Sequence, residues 1–230
     1  MTIPWSRRVG ALASALVPVV GAGPARVAAQ ATMPAASTAP ATLPLPAAAP
    51  GATPAAVPLS VRPVAERRVT SLPAGPLAWR VETMPTLAAA QAAAGPWSLA
   101  AAVDGRSWLF TLGAPGAATT PGATRVAEVG PIPRVDAAEW LLRINDVTGP
   151  PGAVTPVHSH PGSEAFYVVR GEQSIRGADG TMRVAAGHTE AGHGAGHAMQ
   201  VSSSGDVPLQ ALVMFVVDAA RPFSVPATLP

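Results

Sequence analysis

Two histidines stand two residues apart, His158 and His160, and Glu164 follows four residues after the second. On a β-strand, side chains two residues apart point to the same face, so the two imidazoles are expected to point the same way. The Pro161-Gly162 pair favours a turn that brings the carboxylate to the same place. Two imidazoles and a carboxylate form a nitrogen and oxygen donor set for a divalent metal ion, with Fe, Mn, Ni, Cu and Zn all compatible.

A third imidazole is available, because all five histidines of the chain lie between positions 158 and 197. The favoured third ligand is His197, with His193 as the alternative. A site without a third imidazole is also open, and it would match the facial triad of two histidines and one carboxylate found in non-haem iron centres. His188 is expected to lie in a solvated turn.

Apolar residues near these donors are candidates for a ligand pocket. By strand alternation, Phe166 shares a face with Glu164 and Met199 shares one with His197, and Met214 is a further candidate. Their ordinary interpretation is barrel core. Arg143 has the chemistry to hold a substrate carboxylate, although a solvated barrel face is the simpler expectation for it. The sequence does not identify a general base.

The elements that must carry these residues are short strands separated by Gly- and Pro-rich turns. Residues 86–94 are predicted to form a short helix, and residues 97–112 a hairpin that turns at Asp104-Gly105. Residues 209–218 are apolar on both faces, as expected of a strand that is covered on both sides or lies at a subunit contact. The other predicted strands cover residues 77–84, 125–129, 139–145, 154–158, 165–170, 173–176, 182–185 and 198–202. This pattern predicts an all-β protein, an antiparallel sandwich or barrel.

The spacing of the donors resembles the first signature of the cupin superfamily. Gly152-x5-His158-x-His160-x3-Glu164-x6-Gly171 meets that signature at every fixed position. The resemblance spans about residues 126–218 and implies a single type-2 cupin domain, a small double-stranded β-barrel of the jelly-roll type. It also implies that the ligands point into the mouth of the barrel.

The second cupin signature, Gly-x5-Pro-x-Gly-x2-His-x3-Asn, is only partly met. One register places His197 in the histidine position, with Gly192 where the family has proline and Val201 where it has asparagine. A register shifted by two residues places Met199 there instead. The run of glycines and histidines in this part of the sequence fits more than one register, so the third ligand stays open.

The chain is predicted to have four parts. Residues 1–31 read as a signal peptide, because Arg7-Arg8 is followed by an uncharged run at 9–23 and a small-residue cleavage site at 28–31. Residues 32–60 are rich in Ala, Pro and Thr and read as a disordered spacer. Residues 61–123 are predicted to be an N-terminal extension that packs on the barrel, and residues 124–230 the cupin domain. The protein is therefore expected to be exported, to the periplasm or outside the cell, with no membrane span after cleavage.

Charge and composition narrow the functional classes. The formal net charge of +2 is spread over 230 residues, and only 4% of them are aromatic, so nucleic-acid binding is not expected. The absence of cysteine excludes thiolate ligands and disulfides. The prediction is an exported cupin that binds a divalent metal and a small molecule, with oxygenase or isomerase chemistry on a small substrate. The alternative is a non-catalytic module that binds or senses a small ligand with a structural metal or none. A homodimer is a further possibility.

Overall fold

The structure is a computed structural model, and it describes residues 56–230. The predicted signal peptide and most of the predicted spacer lie outside the described residues. Among residues 56–230, no helix is long and apolar enough to cross a membrane.

The described part is almost entirely antiparallel β-structure with one short helix, which confirms the predicted all-β class. The helix, α1, covers Leu87–Ala93, and Thr86 caps its N-terminus by accepting a hydrogen bond from the amide of Ala89. The strands are β1 Ser60–Val69, β2 Leu77–Met84, β3 Ser98–Val103, β4 Arg106–Gly113, β5 Thr124–Ile132, β6 Trp140–Gly149, β7 His158–Ser159, β8 Gly162–Arg170, β9 Glu172–Gly177, β10 Gly180–Ala185, β11 Thr189–Glu190, β12 Gln200–Ser203, β13 Leu209–Asp218 and β14 Val225–Pro226.

Three sheets form the barrel. A five-stranded sheet has the order β1-β6-β13-β8-β11, a three-stranded sheet has the order β10-β9-β12, and β14 pairs with β7. The apolar core between these sheets includes Phe166, Ile175, Met199, Val213 and Phe215. This double-layered antiparallel arrangement is the predicted jelly-roll barrel.

A fourth sheet, of order β3-β4-β2-β5, covers the outer face of the five-stranded sheet. A second core lies between them and includes Trp79, Trp108, Leu142, Met214 and Tyr167. The central strand β13 is consequently buried on both faces, because its odd-numbered side chains enter the barrel core and its even-numbered ones enter the second core. The two-sided apolar pattern of residues 209–218 is therefore explained by cover on both sides.

The fourth sheet contains the predicted hairpin. Strands β3 and β4 turn at Asp104 and Gly105, whose φ angles of 51° and 69° match the left-handed conformation that two-residue hairpin turns require. Strand β5 pairs with β2, so this sheet joins segments from both sides of residue 123.

Strand β1 extends the barrel sheet at its edge by pairing with β6 along its whole length. The strand is mostly exposed and irregular at Pro63, as is common for edge strands. Just before it, Leu59 is buried and its amide donates to the carbonyl of Val154. The last residues of the predicted spacer, 56–60, therefore lie against the barrel.

Candidate functional site

A cavity of about 510 Å³ opens between the two layers of the barrel, on the side where β14 pairs with β7. Most of its lining is apolar, supplied by valines, prolines and the rings of Phe166, Phe215 and Phe223. The polar side chains on its wall include Arg143, Asn145, His158, His160 and Glu164. A mostly apolar cavity with a few convergent polar groups is typical of a small-molecule site.

The strand register sets the order of these side chains on the cavity wall. Phe215 of β13 pairs with Arg143 of β6 on one side and with Glu164 of β8 on the other. These three residues form a row across the sheet. Two residues further along β6, Asn145 begins the next row on the same face.

The imidazole rings of His158 and His160 make a T-shaped contact, with their centroids 5.0 Å apart. Nδ1 of His158 lies 2.8 Å from the carbonyl oxygen of Pro156, and Nδ1 of His160 lies 2.6 Å from that of Phe223. A carbonyl oxygen can only accept, so each Nδ1 carries a proton, and in the neutral imidazole Nε2 is then the nitrogen with the lone pair. Metal-binding histidines are usually held in this way, with one ring nitrogen donating to a carbonyl and the other left for the metal.

Glu164 is the buried carboxyl group of the cavity. Its Oε2 lies 3.7 Å from Nε2 of His160, and its Oε1 has no hydrogen-bond partner among the described residues. Burial raises the pKa of Glu164 to about 8. Burial also lowers the pKa of His160 to about 4, against the raising effect of the Phe223 carbonyl, and the nearby charges of His158 and Arg143 lower it further. At neutral pH without a bound cation, both groups are therefore mainly uncharged.

His197 lies at a different cavity, of about 250 Å³, together with His193 and Asp179. The rings of His193 and His197 stack with centroids 4.0 Å apart and planes within 10° of parallel. The segment before β12 is a turn, with the His197 amide donating to the carbonyl of Gly194 and Gly196 at a φ of 77°. His197 lines this second cavity, whereas His158, His160 and Glu164 line the first, so the four predicted ligands do not converge in this structure.

The predicted pocket residues are also divided between locations. Phe166 lines the cavity. Met199 is buried in the barrel core, and Met214 is buried in the second core because it lies on the opposite face of β13 from Phe215. The predicted turn residue His188 is exposed, with Nδ1 directed at the carbonyl of Ala186.

Sequence reasoning did not find Phe215 and Phe223 as cavity residues. The Phe223 ring contacts His160 and Phe215 with centroids 4.8 Å and 4.9 Å apart, and the Arg143 guanidinium carbon lies 4.1 Å from its centre. Phe223 belongs to an irregular segment that shows no periodic pattern. Its position follows from the pairing of β14 with β7, which the sequence alone does not reveal.

The donor chemistry of three residues fits a divalent metal ion. His158 and His160 each keep a free Nε2, and Glu164 brings a buried carboxyl oxygen without a partner, all on one cavity wall. In their present side-chain positions, no three His, Asp or Glu residues within 56–230 are close enough together to enclose an ion. The fit is therefore one of donor type and location, and binding would require the donors to draw together.

Among solved structures, 148 chains match this chain. A cupin superfamily protein from Desulfitobacterium hafniense is 14% identical over 34% of this chain and 68% of its own, with a TM-score of 0.31. A protein with a double-stranded β-helix domain from Klebsiella pneumoniae is 22% identical over 38% of this chain and 75% of its own, with a TM-score of 0.33. A DMSP lyase from Ruegeria pomeroyi is 26% identical over 37% of this chain, which spans only 43% of that enzyme, with a TM-score of 0.33.

No curated protein matches the sequence. The family model Cupin_2, a cupin domain, matches residues 145–215. This segment runs from Asn145 in β6 to Phe215 in β13 and contains the complete first signature. Residues 145–215 of the chain therefore match a cupin domain.

Proposed function

We propose that the barrel cavity binds a small organic molecule next to a divalent metal ion held by His158, His160 and Glu164. The observation that carries this proposal is the hydrogen bonding of the three donor side chains. Both imidazoles commit Nδ1 to a backbone carbonyl, and the carboxyl group is buried with one oxygen unpartnered. An unsatisfied buried carboxyl oxygen costs about 1–3 kcal/mol, and a cation at this position would remove that cost.

The apolar wall defines what the site would accept. Phe166, Phe215 and Phe223 line the same cavity as the donors and would exclude water from most of a bound molecule. When bound, a divalent ion supplies Lewis-acid polarisation of an oxygen atom of the ligand. Oxygenase or isomerase chemistry on a small substrate is the reaction class that we propose for such a site.

The second candidate is a non-catalytic cupin that captures a small ligand without a metal. The separation of His197 from the other donors favours it. The raised pKa of Glu164 favours it too, because a carboxyl group that stays protonated at pH 7 can donate a hydrogen bond to a ligand.

Metal stoichiometry separates the two candidates. The full-length protein is stripped with a chelator, dialysed against Mn²⁺, Fe²⁺ or Zn²⁺, and measured by elemental analysis. We expect about one equivalent of at least one metal in the unmodified protein, and a loss of at least roughly tenfold in affinity for His158→Ala and Glu164→Ala.

His188→Ala is the matched control for those variants, because it removes an exposed imidazole of the same domain that lies outside the cavity lining. Its metal content should equal that of the unmodified protein. Less than a tenth of an equivalent with every metal would contradict the metal centre and leave the metal-free binding module.

A further inference from the structure

The cavity has a second polar region on β6, at Arg143 and Asn145. Both side chains line the cavity, and they share one face of the strand because they are two residues apart. The side chain of Arg143 is only 19% exposed, so it does not lie on a solvated barrel face. The guanidinium group is a permanent charge inside an otherwise apolar wall.

Two neighbours fix the guanidinium in place. Oε2 of Glu66, on β1, accepts from Nε of Arg143 at 2.8 Å and lies 2.7 Å from Nη2 in an ion pair. The ring of Phe223 covers one face of the group. The Glu66 side chain is half exposed, so this ion pair orients the arginine more than it stabilises the protein, and Nη1 stays outside the pair.

Asn145 provides an independent sign that this region receives a ligand. The residue is 98% buried, and its Oδ1 has no hydrogen-bond partner among residues 56–230. An unpartnered buried acceptor costs about 1–3 kcal/mol, which a hydrogen-bond donor on a bound molecule, such as a hydroxyl group, would recover. The amide therefore adds hydrogen-bonding capacity beside the guanidinium.

We infer that Arg143 forms an anion subsite that selects a small organic carboxylate, with Oδ1 of Asn145 as a neighbouring acceptor. This inference rests on the proposed function, because it assigns the substrate class of the same cavity. A guanidinium group matches the planar carboxylate, whereas Oδ1 of Asn145 can only accept and therefore suits a hydroxyl group or another donor on the same ligand.

The row formed by Arg143, Phe215 and Glu164 across the sheet sets the length of the ligand. Arg143 and Glu164 flank Phe215 on adjacent strands, so their backbones are about 10 Å apart. A ligand whose carboxylate meets Arg143 would lay its apolar body on Phe215 and direct its other end to His160 and Glu164. The ligand class is therefore a short carboxylic acid with an apolar body.

A pair of isosteric probes tests this subsite. Benzoate and nitrobenzene have nearly the same shape and differ in charge, and their affinities are measured by ligand-detected NMR titration of the full-length protein. The unmodified protein should prefer benzoate by roughly tenfold or more. In Arg143→Gln the preference should fall to about twofold or less, and Arg143→Lys should lie between because it keeps the charge without the planar fork.

Arg183→Gln is the matched control, because it removes an exposed arginine that pairs with Glu172 outside the cavity. It should keep the full preference. Equal affinity for both probes, no binding of either probe, or an unchanged preference in Arg143→Gln would overturn the inference.

Repeating the titration with chelator separates this inference from the proposed metal centre. A preference that depends on Arg143 and persists in metal-free protein supports the subsite even if no metal is ever retained. A preference that vanishes with the metal and is unchanged by Arg143→Gln shows that the metal itself binds the carboxylate. That result overturns the subsite and supports the metal centre.

Discussion

At the level of single residues, the site depends on backbone carbonyls as much as on the donor side chains. The carbonyls of Pro156 and Phe223 each fix the protonated nitrogen of one imidazole. That of Phe223 comes from a segment 63 residues away from His160 along the chain, whose ring also packs on His160. The orientation of His160 is therefore tied to the packing of Phe223.

Replacing Phe223 by alanine should make the orientation of His160 less fixed. Phe223→Ala keeps the carbonyl but removes the ring that packs against His160, Phe215 and Arg143. We expect metal affinity to fall roughly tenfold, in the range typical for losing support of a ligand, and stability to fall by about 1–2 kcal/mol. Equilibrium dialysis and urea unfolding measure the two effects.

Thr228→Ala serves as the control, because Thr228 lies in the same C-terminal segment, is exposed and is not among the residues that line the cavity. It should leave metal affinity unchanged. Phe223→Leu should recover part of the affinity if packing of the segment is the cause. An affinity in Phe223→Ala equal to that of the unmodified protein would mean that the ring does not support His160.

At the level of elements, the strands and turns near the signature were predictable and the pairing of distant strands was not. Residues 77–84 and 209–218 were predicted with the bounds that β2 and β13 have, because their apolar patterns end at clear breaks. Strand β1 was not predicted, because Pro63 and the charged residues of the strand interrupt the alternation of apolar and polar side chains. Strand β5 pairs with β2, a choice that depends on packing between segments far apart in sequence.

The residues of the candidate site also differ in whether the sequence predicts their positions. His158, His160 and Glu164 were predicted together because one local motif contains them, and the structure places them on one cavity wall. The position of His197 depends on a glycine-rich turn. Glycine allows several backbone conformations, so the sequence does not predict the backbone angles of this turn.

One glycine of this turn region holds the backbone against Glu164. Gly192 has a φ of 69°, and a Cβ on it would lie 1.8 Å from the carbonyl oxygen of Glu164. Gly192→Ala must therefore move the backbone at residue 192 or that of β8, and it should cost roughly 2–3 kcal/mol of stability and weaken metal binding.

Gly194→Ala is the matched comparison, because its Cβ would make an ordinary contact with Pro133 at 3.5 Å. Its free energy of unfolding should stay within about 0.5 kcal/mol of the unmodified value. Urea denaturation of both variants measures the difference, and equal stabilities would show that the close approach of Gly192 to β8 has no energetic consequence.

At the level of the whole molecule, the barrel depends on the fourth sheet, which buries the outer face of β13. That sheet contains a fully buried carboxylate, Glu82. Its oxygens accept from the amide and hydroxyl of Thr120 at 2.9 Å and 2.7 Å, and Arg80 lies 3.1 Å away. Burial acts to raise the pKa of Glu82, but the bonds from Thr120 and the charge of Arg80 outweigh it and lower the pKa overall.

Because the pKa of Glu82 is lowered in the folded state, Glu82 should make the protein less stable as the pH falls. Above the unfolded-state pKa, the ionised Glu82 stabilises the fold, and this contribution is lost as pH falls through the folded-state pKa. Glu82→Gln should lose about 3 kcal/mol at pH 7 and show a weaker further loss on acidification. Glu139→Gln, at an exposed carboxylate, should keep the acid dependence of the unmodified protein. An equal acid dependence in Glu82→Gln would contradict this role.

The central claim is that a metal ion in this protein has two imidazole ligands, from His158 and His160, and the carboxylate of Glu164. Pulsed electron paramagnetic resonance of the Cu²⁺-loaded protein counts coordinated imidazoles directly through their remote nitrogens. The account predicts two imidazoles in the unmodified protein, two in His197→Ala, and one in His158→Ala. Three imidazoles that fall to two in His197→Ala would contradict it, because His197 would then be a ligand.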